Sequence, residues 1–192
     1  MAKATRDQFL DTAETLFAER GFYGVSIAAI ATELGLTKQA LLHHFGSKEK
    51  LYGEVLKRIS GRFDAFPSSK LPPMEALKSY LLILHREARN RPDQTRLLMR
   101  ELLDNKQRAE TAGTWYLKPF LERLIQLVQS LPGKQGLPDK DALAIAYQLL
   151  GAINYFGISQ PTLTGIFGAA GFAELDAVFE EHLSKLIDAA LA

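Results

Sequence analysis

The sequence predicts an all-α protein of about nine helices. Leu and Ala account for 31 and 24 of the 192 residues, whereas Val, which is branched at Cβ, occurs only 4 times. Leu and Ala favour helices, and β-branched residues favour sheets. Apolar residues recur at spacings of three and four along most of the chain, and no segment alternates with a period of two.

The first 66 residues predict four helices, because Gly and capping residues interrupt the apolar pattern at short intervals. Gly21, Gly35 and Gly46 end the first three of them, since Gly readily adopts the backbone conformation that closes a helix. Ser26 and Thr37 are placed to cap the second and third helices. The predicted ranges are 5–20, 27–34, 38–45 and 47–66.

The segment PSSKLPP, residues 67–73, predicts a domain boundary, because a pair of Pro residues cannot continue a helix. We therefore predict a small domain over residues 1–48, a connecting helix over 49–66 and a larger helical domain over 67–192. The larger domain is predicted to contain helices over 74–90, about 93–102, 115–131, 141–157 and 174–191, with a looser stretch over 160–171.

Composition excludes several classes of protein. The chain has no Cys, which excludes a disulfide framework and a thiolate metal site. No window reaches about 18 apolar residues, and Arg6, Asp7 and Asp11 interrupt the stretch where a signal peptide needs an apolar core. These absences are typical of a cytoplasmic protein. Residues 1–62 hold nine Lys and Arg against seven Asp and Glu, a net charge of +2, which makes this half the better match for a polyanion.

Residues 26–45 combine a short capped helix, a turn containing Gly35 and a second short helix. This is the pattern of a helix-turn-helix, whose second helix enters the major groove of DNA. The outward positions of that second helix carry donor-bearing side chains suited to base edges and phosphates, namely Lys38, Gln39, His43 and His44.

Two residues at helix N-termini are suited to phosphate contacts. Lys48 lies in the first turn of the fourth helix, where the positive end of the helix dipole disfavours a cation. A phosphate nearby would remove this conflict, because helix N-termini attract anions and Lys adds a further positive charge. Ser26 can present its hydroxyl group to a phosphate in the same manner.

Several motifs coincide in fixed register within residues 5–58. They are GF after the first helix, the helix start at 26–31, Gly35, HHF at 43–45 and GSKEKL at 46–51. With these motifs the segment resembles the TetR (AcrR-like) family of helix-turn-helix transcriptional regulators. The resemblance implies a homodimer that binds double-stranded DNA at a palindromic operator, most often as a repressor.

The resemblance also implies roles for individual residues. It implies phosphate contacts for Ser26, His44 and Lys48, and contacts with bases or the adjacent backbone for Thr37, Lys38, Gln39 and His43. The chain departs from the family at Leu42, where relatives commonly have Tyr, and at Gln39 and Ala40, where Gly or Pro with Thr is common. One phosphate-binding hydroxyl is therefore missing, and no operator sequence can be transferred.

The second half of the chain resembles the ligand-binding and dimerisation domain of the same family. Aromatic residues at helical spacing are most often core residues, but the resemblance implies a largely apolar effector pocket among the middle helices. The candidate lining residues are Tyr80, Met99, Trp115, Tyr116, Phe120, Asn154 and Tyr155. The last two helices are apolar on more than one side, which fits a four-helix dimer interface or burial inside one domain.

Other functions have less support in the sequence. There is no nucleophile with a base, no catalytic pair of carboxylates and no phosphate-binding Gly loop, so we predict no enzyme activity. His43 and His44 are adjacent on a helix and cannot face one metal, and His85 and His182 have no partner at ligand spacing, so we predict no metal and no cofactor.

The alternative function is that of a helical ligand-binding or protein-interaction module whose helix-turn-helix does not read DNA. Leu42 is the feature that supports this alternative, because it replaces a hydroxyl-bearing residue with an apolar one.

Overall fold

The computed structural model describes residues 6–63, 71–104 and 116–192, and these residues form α-helices and no strand. The prediction of an all-α fold is confirmed. The helices are α1 (Arg6–Arg20), α2 (Ile27–Glu33), α3 (Lys38–Phe45), α4 (Lys48–Arg62), α5 (Pro73–Asn90), α6 (Pro92–Asp104), α7 (Lys118–Gln129) and α8 (Asp139–Leu191).

The chain divides into two compact units. The N-terminal unit comprises residues 1–62 and 96–116, and the C-terminal unit comprises residues 63–95 and 117–192. The chain passes between the units at three points: after Arg62, within α6 after Thr95, and after Tyr116.

In the N-terminal unit α1 packs against α4, and α2 packs against α3. Local signals set the ends of these short helices. The Ser26 hydroxyl oxygen accepts a hydrogen bond from the Ala29 amide at 3.0 Å, and the Thr37 hydroxyl oxygen accepts one from the Ala40 amide at 3.2 Å. In the turn between α2 and α3, Gly35 adopts a φ of 66°, which residues with a Cβ rarely adopt. The predicted caps and turn are therefore confirmed.

The C-terminal unit is built around α8, which packs along α5 and α7. Its core consists of apolar side chains from all three helices, including Leu81, Leu124, Leu149 and Ile187. Three ion pairs also join α5 to α8: Lys78 with Asp188, Arg86 with Glu180 and Arg89 with Asp176. By length and composition alone, α8 is apolar enough to cross a membrane, although one side of it is part of this core.

The prediction of a loose stretch over 160–171 is wrong, because α8 is helical through Pro161 as far as residue 167. An interior Pro removes one backbone donor, and its ring crowds the carbonyl four residues earlier, yet the helical backbone continues past Pro161. The helical backbone is broken instead at Gly168, whose φ of 75° and ψ of 168° only Gly adopts without strain. The two predicted C-terminal helices therefore lie on either side of this residue.

Candidate nucleic-acid interface

One side of α3 is buried and the other is exposed. Leu41 and Phe45 are buried in the N-terminal unit, at 0% and 6% exposure. Lys38, Gln39 and His43 are exposed on the outer side of the same helix. The helix is therefore held by its apolar side, and its polar side chains are free to contact another molecule.

The two capping residues are exposed at the starts of α2 and α3. Each of the hydroxyl oxygens of Ser26 and Thr37 accepts one backbone hydrogen bond and keeps its own hydrogen for donation. A phosphate oxygen is a suitable acceptor for such a hydroxyl, because it carries negative charge and several lone pairs.

Lys48 lies at the start of α4, and its ammonium nitrogen is 4.2 Å from the centre of the Phe22 ring. The negative face of an aromatic ring attracts a cation at this distance. Burial lowers the pKa of Lys48, and the neighbouring Glu49 carboxylate opposes this effect. The ring thus holds the ammonium group in position at the N-terminus of the helix, beside the cap formed by Ser47.

The two adjacent histidines have different surroundings. The His44 ring lies 5.0 Å from the Phe9 ring and 6.4 Å from the Phe45 ring, although the residue is exposed. His43 is exposed as well, and its ring contacts that of His44. His44 is therefore positioned by α1, whereas His43 extends from the outer side of α3.

The N-terminal unit also contains polar contacts that the sequence did not predict. The Tyr52 hydroxyl donates a hydrogen bond of 2.8 Å to the Glu101 carboxylate, and both side chains are buried. Arg58 donates to Asp11 at 2.7 Å and to Glu14 at 2.5 Å, which ties α4 to α1. The position of Glu101, three and four residues after the apolar Leu98 and Leu97, was the one available signal for its burial.

Residues 9–55 match the family described as bacterial regulatory proteins, tetR family. The transcriptional repressor KstR2 of Mycolicibacterium smegmatis is 35% identical over 92 residues, which are 43% of this chain and 45% of that protein. The match therefore spans less than half of KstR2. The transcriptional regulator RutR of Escherichia coli K12 is 25% identical over 170 residues, which are 86% of this chain and 80% of RutR.

The N-terminal segment of the chain is therefore similar to the helix-turn-helix segment of tetR-family transcriptional regulators. The crystal structure of a TetR-like transcriptional regulator from Rhodococcus sp. RHA1 has the same fold over its whole length, with a TM-score of 0.69, 23% identity and coverage of 98% of each chain. This likeness extends the shared fold beyond the helix-turn-helix to the C-terminal unit.

The expected effector residues lie in several places. In the C-terminal unit Tyr80 and Phe120 are buried and both contact Phe63: the Tyr80 hydroxyl donates to the Phe63 carbonyl at 2.5 Å, and the Phe120 and Phe63 ring centres are 5.1 Å apart. Asn154 is half-buried, and Tyr155 is 75% exposed.

The remaining expected effector residues are outside the C-terminal unit. Met99 and Tyr116 belong to the N-terminal unit, where the Tyr116 hydroxyl lies against Gly53 of α4. Trp115 lies outside the described residues. Within the described ranges, no group of three or more His, Asp or Glu side chains is arranged to hold a metal ion.

Proposed function

We propose that this protein is a TetR-like regulator that represses transcription by binding a palindromic operator as a homodimer in the cytoplasm, and that a small molecule releases it. The observation that carries the proposal is the division of α3 into a buried apolar side and an exposed side with Lys38, Gln39 and His43. A helix of eight residues does not need these donor-bearing side chains for its packing.

In the proposed complex α3 lies in the major groove. Lys38, Gln39 and His43 contact base edges or the adjacent backbone, because their donors and acceptors match the pattern that the groove displays. Four further side chains fix the helix on the DNA through the backbone: Ser26, Thr37, His44 and Lys48. Since the net charge of +2 over residues 1–62 is small, we expect a moderate dependence on salt and useful affinity only from a dimer.

The exposed side of α8 supports the homodimer. Large apolar side chains are exposed along its whole length, namely Tyr147, Tyr155, Ile166, Phe167, Val178 and Leu186. Soluble proteins seldom leave so many apolar groups of one element in water, and a two-fold dimer buries the same surface on both copies. A dimer also presents two α3 helices to two half-sites, about one turn of DNA apart.

Release by an effector requires that ligand binding favour a conformation whose α3 helices do not fit the operator. We propose that the effector binds among the helices of the C-terminal unit and that α4 transmits the change, because α4 carries Lys48 at one end and precedes residue 63 of the C-terminal unit at the other. A coupling of about 1–3 kcal/mol would give several-fold to hundred-fold control.

Selection of bound fragments from random double-stranded DNA tests the proposal. Recovery of a palindrome is the expected result. Failure to recover any DNA at low salt would contradict it and would favour the ligand-binding or protein-interaction module.

Two variants assign the contacts. We expect Lys48→Ala to weaken binding to all sequences alike and to reduce the salt slope by about 1, whereas Gln39→Ala should relax preference at one base position at a cost of about 1–3 kcal/mol. Lys57→Ala, an exposed residue of the same α4, is the matched control and should leave both properties unchanged. Unchanged affinity of Lys48→Ala at every salt concentration would rule out the phosphate contact.

A further inference from the structure

His85 of α5 is completely buried in the C-terminal unit, with 0% of its surface exposed. Neither of its two ring nitrogens has a hydrogen-bond partner among the described residues. Nearly all buried polar side-chain atoms in proteins are hydrogen-bonded, since an unmet donor or acceptor has lost its water without compensation. An imidazole in this state has two nitrogens available for hydrogen bonds with another molecule.

Aromatic rings from α8 surround this imidazole. The centre of the His85 ring lies 5.2 Å from that of Phe179 and 5.9 Å from that of Phe156. Phe156 is stacked on Phe179 at 3.6 Å and lies parallel to Phe172 at 6.0 Å. Two aromatic faces, contributed by residues before and after the break at Gly168, therefore lie near His85.

The charged groups near His85 balance one another. Burial is the main cause that lowers the pKa of His85; Arg89 and Arg86 of α5 lower it further, and Glu180 and Asp176 of α8 oppose them. Each Arg is paired with one of these carboxylates, Arg86 with Glu180 and Arg89 with Asp176. The ring is thus neutral at pH 7 and offers one N–H donor and one nitrogen acceptor.

We propose that His85 is the polar anchor of the effector site, and that the effector is an uncharged aromatic molecule carrying a hydroxyl or carbonyl group. This inference rests on the proposed release by a small molecule. The aromatic body of the effector packs against the Phe rings, and its polar group exchanges a hydrogen bond with the imidazole. An anionic group is disfavoured there, because the neutral ring cannot compensate its loss of water and both nearby Arg side chains are already paired with carboxylates.

Phenol and toluene are the probes that test this proposal, because they share an aromatic ring and differ in the hydroxyl group. In protein labelled with ¹⁵N-histidine, we expect phenol at millimolar concentration to shift the ring-nitrogen resonances of His85, and toluene to leave them in place. Phenol should also raise the melting temperature more than toluene does, since a ligand that binds the native state stabilises it. Benzoate, the charged control, should neither shift the His85 resonances nor raise the melting temperature.

His85→Phe keeps the ring and removes both nitrogens. We expect this variant to bind phenol about three- to tenfold more weakly than the unchanged protein and to lose its preference for phenol over toluene. His182→Phe, on an exposed position of α8, is the matched control and should keep the preference. The NMR measurement on the unchanged protein decides the question even if His85→Phe does not fold.

Two results would overturn the proposal: phenol and toluene acting alike on the unchanged protein, or a preference for phenol that survives His85→Phe. Neither measurement involves DNA, so the outcome is separate from that of the operator selection. A palindrome recovered without any shift at His85 would refute the anchor and leave the DNA-binding function in place. A shift at His85 in a protein that selects no DNA would support the anchor and refute the DNA-binding function.

Discussion

In the N-terminal unit the side chains proposed to contact DNA are exposed on short capped helices. In the C-terminal unit the polar group proposed to contact the effector, the His85 imidazole, is buried among long helices. Lys38 and Gln39 are exposed, and the buried Tyr52 donates to the buried Glu101. His85 is buried without a hydrogen-bond partner in the part of the chain that the structure describes, and Tyr155 of α8 is exposed.

This difference follows from what each unit has to contact. A surface that reads DNA must present its donors to water and to the grooves. In that unit the buried Tyr52 hydroxyl finds its acceptor within the protein, whereas the buried Arg58 Nε has no hydrogen-bond partner among the described residues. A site for a small apolar molecule must exclude water, and its polar group is therefore left for the ligand to satisfy. Variants of Arg58, Tyr52, His85 and Lys78 test whether the polar contacts of the two units differ in this way.

The largest effect is expected from Arg58, because its guanidinium joins α4 to two carboxylates of α1. The Arg58 and Glu14 side chains are 21% and 14% exposed, so water screens this pair only in part. We expect Arg58→Met to lower the free energy of unfolding by about 2–3 kcal/mol, measured by urea denaturation. Arg6→Met, which loses a more exposed bridge to Glu54, is the control and should change it by less than about 1 kcal/mol. Equal effects would show that burial of the pair does not matter.

The second effect concerns the hydrogen bond between Tyr52 and Glu101. Tyr52→Phe removes the hydroxyl that donates to a buried carboxylate, and we expect the free energy of unfolding to fall by about 1–2 kcal/mol. Tyr23→Phe, at an exposed position of the same unit, should have no effect within error. If Tyr52→Phe also left the free energy of unfolding unchanged, the stability of the N-terminal unit would not depend on this hydrogen bond.

Sequence and structure agree best where local signals decide. The predicted third helix, 38–45, has the observed bounds of α3, and the predicted first helix ends at Arg20, as α1 does. Caps at Ser26 and Thr37 and the turn at Gly35 act through the backbone of neighbouring residues, so they are readable from the sequence.

Agreement is poorer where packing between distant segments decides. Pro161 and several Gly residues suggested a loose stretch over 160–171, yet the backbone leaves helical geometry only at Gly168. His85 was considered from the sequence only as a metal ligand, because its burial and its aromatic neighbours come from α8, about 70 to 95 residues further along the chain. The burial of Glu101 likewise depends on Tyr52, 49 residues away.

The third prediction is a pH dependence confined to the C-terminal unit. The pKa of His85 is lowered in the folded protein, mainly by burial, so the unfolded chain, with an ordinary pKa of about 6.5, binds more protons below that pH. The free energy of unfolding should therefore fall as pH decreases below about 6.5, by at most about 1.4 kcal/mol per pH unit.

His85→Phe isolates this contribution. The variant lacks the titrating ring, so the difference in unfolding free energy between it and the unchanged protein should vary between pH 7 and 5. The Glu180 carboxylate, whose pKa is lowered by its hydrogen bond with Arg86, loses its contribution only as pH falls below its ordinary value of 4.5. A difference that is constant over this range would mean that His85 is not held in its neutral form by folding.

The smallest effect is expected from Lys78, although its ammonium group lies 2.6 and 2.8 Å from the two carboxylate oxygens of Asp188. This contact joins α5 to α8 as Arg58 joins α4 to α1, but Asp188 is 54% exposed, and water weakens the attraction while the two side chains lose rotational freedom. We expect Lys78→Met to change the free energy of unfolding by less than about 1 kcal/mol, and Lys185→Met, at a still more exposed pair, to change it by no more. If Lys78→Met lowered the free energy of unfolding as much as Arg58→Met does, the contrast between the units would be contradicted. Short distance, and not burial, would then set the strength of their ion pairs.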